Sequence, residues 1–269
     1  MELTKLGNKL YGLGVCDMKG GIAAVIDAIS QIDFNKLKYG MKVYFTYDEE
    51  IDFGGINELV NINCKFPETM IFGEPTNNEI LVGSKGLLEY KLEFIGKKAH
   101  SSNPEKGVSA NLNAIKFLTE LNEYYEKNIK EYKEERYETP YTTMNIGTIN
   151  GGSAINSISA NCDVTLDFRI ANNEHIDLIK SKIEELSKKY KCNVKILQSI
   201  EAFINTTTLT DKQKTASFIT EASYIENTAR IILGLGPVTA HEVNENITEE
   251  SYQMLIEQYK EIITKTCLE

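Results

Sequence analysis

Along the first eighty positions the apolar residues follow two alternating rhythms. Over 19–32 (KGGIAAVIDAISQI), Ile22, Val25, Ile26 and Ile29 fall three or four apart, the spacing of a helix with one buried face. MKVYFTY (41–47) is a short β-rich run, GINELV (55–60) starts another helix, and TMIFGEP (69–75) is a second β-run ending in a proline turn. Strand–helix alternation of this kind predicts a largely parallel sheet flanked by helices. In such sheets ligands sit outside the carboxyl ends of the strands. Asp48-Glu49-Glu50 and Gly73-Glu74-Pro75 both lie at such ends.

From about residue 85 the rhythm changes. GLLEYKLEFIG alternates as a strand and SANLNAIKFLTELNEYYEKNI reads as an amphipathic helix. TTMNIGTIN and NSISANCDVTLDFRI are two strands separated by Gly151-Gly152, followed by the helix HIDLIKSKIEELSKKY and the strand CNVKILQ. The order strand, helix, strand, strand, helix, strand is the split βαβ, ferredoxin-like arrangement. A charge-rich stretch at 130–138 predicts an exposed loop. After about residue 200 come a helical segment (210–227), a strand (ARIILGLG) and a terminal helix (248–266). The chain therefore reads as an α/β domain over 1–84 and 199–269, interrupted by an α+β domain over 85–198.

Composition narrows the functions. A chain of 269 residues makes one or two folding units, and its 42% apolar and 25% charged fractions are those of a soluble protein. The formal charge of -10 argues against nucleic acid as a partner, because phosphate binding needs Lys and Arg. No apolar run approaches the length that spans a bilayer, and the first residues lack the layout of a signal peptide. The five cysteines are an odd count with no C-x-x-C pair, so neither a disulfide framework nor a cysteine zinc site is expected. A reducing, cytoplasmic setting fits.

Five residues stand out for chemistry. Asp17 lies in GLGVCDMKGG, directly before the first helix; Glu49 and Glu50 end a strand; Glu74 follows one; His241 sits in GPVTAHEVNE after the last strand. Each alone has an ordinary explanation: a helix cap, a solvated acid pair, a surface imidazole. Together they suit a cation, because carboxylates crowded at one sheet edge raise one another's pKa values unless a positive charge neutralises them. Oxygen ligands with one imidazole suit a zinc-like ion, and two ions sharing a site need a bridging carboxylate.

The stretches GLGVCDMKGG, TYDEE, FGEPT, KKAHSSNPEKGVSAN, GTINGGSAINSISANCDVTLDFR and TEASYI…GLGPVTAHEVNE, in that order, resemble the signatures of the acetylornithine deacetylase, succinyl-diaminopimelate desuccinylase and carboxypeptidase G family of two-metal amidohydrolases. The wording is nearest to acetylornithine deacetylases. The resemblance implies a catalytic α/β domain with an inserted lid and dimerisation domain, a homodimer, and two zinc ions, with cobalt or manganese as substitutes. Asp17 would bridge the ions, Glu74 would bind the first, and Glu50 and His241 would complete the second. Glu49 would be the general acid and base in cleaving the amide of an N-acyl amino acid. His100 would serve the developing oxyanion across the dimer. Asn156 and Arg169 would hold the substrate's carboxylate and carbonyl. Rival readings are an exposed turn for His100, a surface salt bridge for Arg169 and a turn residue for Asn156. His175 is expected at a helix start on the surface, and Cys16 as an inert buried thiol.

One departure matters. The family pattern opens with a section ending in a strand that carries His-x-Asp, whose histidine binds the first ion, and here only sixteen residues precede Asp17. None of the three histidines (His100, His175, His241) lies in an His-x-Asp. The first ion would keep only Asp17 and Glu74, so that site is expected to be weakened and hydrolysis impaired. Neighbouring apolar surface would also lack a cover. Two other functions fit these residues: a non-catalytic remnant that dimerises or binds a partner, and a module holding the second ion alone.

Overall fold

The computed structural model describes every residue except Met1, Thr206, Thr208, Asn227, Leu268 and Glu269. In chain order the elements begin with β1 (Thr4–Leu6), β2 (Lys9–Tyr11), α1 (Lys19–Ser30), α2 (Gly54–Asn61), β3 (Thr69–Phe72) and β4 (Leu81–Ser84). Next come β5 (Gly86–Ile95), α3 (Ala110–Asn128), β6 (Thr143–Gly151), β7 (Asn161–Ile170), α4 (Glu174–Tyr190) and β8 (Cys192–Ile200). The chain closes with β9 (Phe203–Ile204), β10 (Lys214–Ala216), β11 (Ala229–Ile232), β12 (Asn246–Thr248) and α5 (Glu249–Cys267). They form two units: Met1–Gly83 with Ile204–Ala216 and Thr220–Glu269, and Ser84–Phe203 with Ser217–Ile219. No helix among the described residues is long and apolar enough to cross a membrane.

The second unit is an antiparallel sheet in the order β6-β7-β5-β8, the ferredoxin-like path expected from its alternating pattern. Register pairs Leu88 with Phe168, Tyr90 with Leu166, Leu92 with Val164 and Phe94 with Cys162, so one face carries the apolar set. A slip of one residue would turn that set to water, which fixes the pairing. Phe117 and Leu121 of α3 and Ile179 and Ile183 of α4 complete the same buried cluster. Burying each such side chain contributes about 1.5–3 kcal/mol. Helix α3 starts where Ser109 accepts a hydrogen bond from the Leu112 amide, a cap that contributes about 1 kcal/mol. The charge-rich 130–138 loop is mostly exposed, but Tyr137 is buried and its hydroxyl donates to the Ser84 carbonyl at 3.0 Å.

The first unit holds a mixed sheet whose main path runs β10-β4-β11-β3 and a small sheet in the order β1-β2-β12. Strands β3 and β11 are parallel, with Phe72 beside Ile232, so Glu74 and the 233–241 loop emerge together. Gly234 is required there, because a Cβ would run into the Glu74 carbonyl. Helix α1 lies against α5 through Ala24 and Ala28, which meet Leu255, Ile256, Tyr259 and Ile262. This corrects the expected buried face. The small residues allow close approach, while Ile22, Val25 and Ile29 are half-buried and Ile26 is 52% exposed.

Two further expectations change. The 41–47 run forms no strand and pairs in no sheet, and Phe45 is 62% exposed. Its alternation is that of a strand, yet a strand needs a neighbour to bond its backbone. A cavity of about 820 Å³ lies along this segment, the end strand β3 and the Ile22–Val25–Ile29 face of α1. The predicted helix over 210–227 is instead β10 and a 3-10 turn, Glu221–Tyr224, where Thr220 accepts from the Ala222 amide. Thr210, Thr215 and Thr220 disfavour an α-helix through stiff β-branched side chains. The last position of that range, Asn227, lies outside the described residues.

Candidate active site

Two loops and one turn bring acids and an imidazole together in the first unit. The 12–17 loop turns at Gly14, whose φ of +78° favours glycine, and delivers Asp17 to the start of α1. After the 41–47 run, Asp48 adopts a left-handed backbone with φ 56°. Its carbonyl then accepts from the amides of Ile51, Asp52 and Phe53. That tight turn presents Glu49 and Glu50. His241, also left-handed at φ 65°, comes from the loop between β11 and β12. Non-glycine residues held in this region cluster where function requires a particular side-chain direction.

Asp17, Glu50 and His241 each offer a ligand atom, all within 4.8 Å of one another. His241 Nε2 lies 2.9 Å from Glu50 Oε1 and 3.5 Å from Asp17 Oδ2. Ligand atoms around a tetrahedral zinc at ~2.1 Å stand about 3.4 Å apart, so the donor set and its spacing fit a divalent ion. The cluster is open on one side: His241 is 68% exposed and Asp17 only 18%.

Electrostatics extend the cluster. Burial pushes the Asp17 carboxyl up, with the charge of Glu50 adding to it. Burial likewise takes Glu49 to about 7, helped by Glu50, Asp17 and Glu221. Glu74 is driven well above the usual carboxylate range by burial and then by Glu49 and Asp17. His241 moves up, chiefly through its hydrogen bond with Glu50. Each carboxylate makes the next harder to ionise, a strain that a bound cation relieves.

Glu221 and Glu245 escaped the sequence reading. Glu221 accepts from the Thr46 hydroxyl at 2.9 Å and its charge acts on both Glu49 and Glu74. Buried Glu245 accepts from the amides of Gly14, Cys16 and Asp17 at 2.6, 2.8 and 2.9 Å. Both lie inside stretches that carried the resemblance (TEASYI and HEVNE), so their signal was present but looked like surface charge. Cys16 is a buried free thiol that donates to the Pro237 carbonyl.

The remaining candidates lie in the second unit. His100 and Asn156 sit on neighbouring segments: His100 bridges Ser157, and the Ser101 amide donates to the Asn156 carbonyl at 3.0 Å. The His100 ring meets the Ser102 hydroxyl at 2.8 Å and is exposed. Arg169 on β7 donates from Nε to Asp167 and pairs through its second nitrogen, both at 3.0 Å. His175 corrects an expectation: it is buried rather than on the surface. Its Nδ1 lies 2.8 Å from the Thr142 hydroxyl and Tyr132 packs edge-on to its ring. Those two partners give the imidazole a place in the core.

An α/β unit carrying a carboxylate–imidazole cluster is thus interrupted along the chain by a four-stranded antiparallel unit. Residues 82–194 match the peptidase dimerisation domain of the M20 family. Acetylornithine deacetylase from Buchnera aphidicola subsp. Acyrthosiphon pisum (strain Tuc7) is 32% identical, the match covering 98% of this chain and 73% of the relative. The acetylornithine deacetylase of Pasteurella multocida (strain Pm70) is 29% identical over 99% of this chain and 75% of its own. Among solved structures, a tripeptidase from Staphylococcus aureus subsp. aureus mu50 superposes with a TM-score of 0.80 at 23% identity, over 98% of this chain and 76% of its own. An M20 family metallo-carboxypeptidase from Sulfolobus solfataricus gives 0.72 at 18%, over 97% and 78%. The chain belongs to the acetylornithine deacetylase family, enzymes that hydrolyse amide bonds.

Proposed function

We propose that the chain acts on the amide bond of an N-acyl amino acid, with Asp17, Glu50 and His241 holding a divalent ion. The observation that carries this reading is the meeting of these three ligand atoms within 4.8 Å. Held by Asp17, Glu50 and His241, a zinc-like ion would supply Lewis-acid polarisation of the scissile carbonyl and a lowered pKa for water. Glu49 takes a proton from the attacking water and returns it to the leaving amine. Its support is position: it is next to Glu50 in the chain, half-buried, and within the field of Asp17 and Glu221. Glu74, half-buried and within the field of Asp17, would offer a carboxylate to another ion. His100, Asn156 and Arg169 orient the substrate. The Arg169 fork, parked on Asp167, exchanges that partner for a substrate carboxylate. The five free cysteines agree with a cytoplasmic setting.

Metal analysis of the purified chain, with turnover measured on N-acetylornithine and a panel of other acyl amino acids, tests the reading. Zinc retained together with turnover is expected. One ion without turnover would favour the single-ion module, and no ion at all would remove the proposal.

A homodimer through the second unit belongs to the same reading. Its support is the matched dimerisation domain and the exposed Ile149 on edge strand β6. Light scattering at micromolar concentration is expected to give twice the chain mass; a monomer would count against it.

A further inference from the structure

We infer that Glu245 is a positioning residue: it clasps the Asp17 loop to the His241 loop and thereby sets the affinity of the cation site. The inference rests on the metal reading above and adds a residue that is not itself a ligand. Strand β12 pairs with β2 so that Asn246 stands opposite Tyr11. That register places Glu245 beside Gly12, whose amide donates to the Glu245 carbonyl at 3.2 Å. The side chain then reaches along the 12–17 loop. One carboxylate oxygen accepts from Gly14, the other from both Cys16 and Asp17.

The same short segment holds His241. Thr239 closes it by accepting from the Asn246 amide at 2.9 Å and donating to the Asn246 carbonyl at 2.7 Å. Glu245 therefore ties the Asp17 loop to the His241 segment, its bond to the Asp17 amide spanning 228 residues. Three converging amides need a full carboxylate, because a neutral amide side chain turns one N–H group toward them. A buried carboxylate with three charge-assisted bonds holds backbone far more firmly than neutral contacts do. Groups that orient metal ligands typically affect affinity by about 10–100-fold when removed.

The test uses the full chain, apo protein and cobalt(II) as the probe, read by absorption and calorimetry. Glu245→Gln is expected to weaken cobalt binding about 10–100-fold and to alter its visible absorption band. Glu249→Gln, an exposed acid paired with Lys5, serves as control and leaves both unchanged. A purely structural role would lower the melting temperature of Glu245→Gln while leaving affinity and band as in wild type, and that result overturns the inference. Absence of cobalt binding by the wild type would overturn the metal reading and this inference together. Should Glu245→Gln fail to fold, amide exchange on the wild type decides. The Gly14, Cys16 and Asp17 amides are expected to be protected, and rapid exchange at all three would overturn the clasp.

Discussion

Glu49→Gln is expected to lower kcat on N-acyl amino acids by about 10²–10⁴-fold, the range that positioned proton transfer supplies. Zinc content is expected to stay near that of the wild type, since the proposed ligands are Asp17, Glu50 and His241. The substitution keeps the shape of the side chain and removes its ability to accept a proton. Glu50→Gln is the contrasting variant. It removes a ligand, so it loses metal and activity together. The discriminating pair of measurements is bound zinc and initial rate on the same preparation. Normal turnover by Glu49→Gln would show that another group moves the proton.

Stripped of metal, the chain is expected to lose stability as pH rises from about 4.5 to about 7. Glu49 moves from 4.5 to about 7 in the folded state, chiefly through burial. Its folded pKa exceeds its unfolded one, so the folded state holds the proton more tightly. The contribution is complete below about 4.5 and disappears as pH climbs through about 7. Asp17 and Glu74 shift in the same direction through burial, and His241, raised by Glu50, also binds its proton more tightly when folded. All four therefore act with one sign. A saturating divalent ion reverses the trend, because it favours ionised carboxylates and neutral imidazole. Melting temperature against pH, with chelator and with zinc, measures both arms. A flat or rising curve in chelator would remove the repulsive cluster from the account.

The second unit was legible because its strands are long and bury one face. Leu88, Tyr90, Leu92 and Phe94 recur with period two, and α3 and α4 repeat at helical spacing. The candidate site residues were legible through their motifs, and for Glu74 also through topology, since it follows β3 where an α/β sheet exposes its ligands. Four things were not. Strands β1, β2 and β12 have three residues each, too short for any period; β1 and β2 pair as a hairpin and β12 joins β2 from a distant part of the chain. The 41–47 run has a strand's pattern, but pattern specifies one face and not the neighbour that must bond the backbone. Glu245 reads as surface charge in HEVNE until the fold shows three amides converging on it. Burial of His175 was equally hidden, since Thr142 and Tyr132 reach it from a distant loop.

The β2–β12 pairing has a consequence for biosynthesis. Glu50 emerges from the ribosome 191 residues ahead of its partner His241, and at ordinary elongation speeds that separation is roughly ten to forty seconds. During that interval the nascent polypeptide carries the acids without the imidazole or the Glu245 clasp. On the proposed reading, the cation site would be complete only once the small sheet has closed.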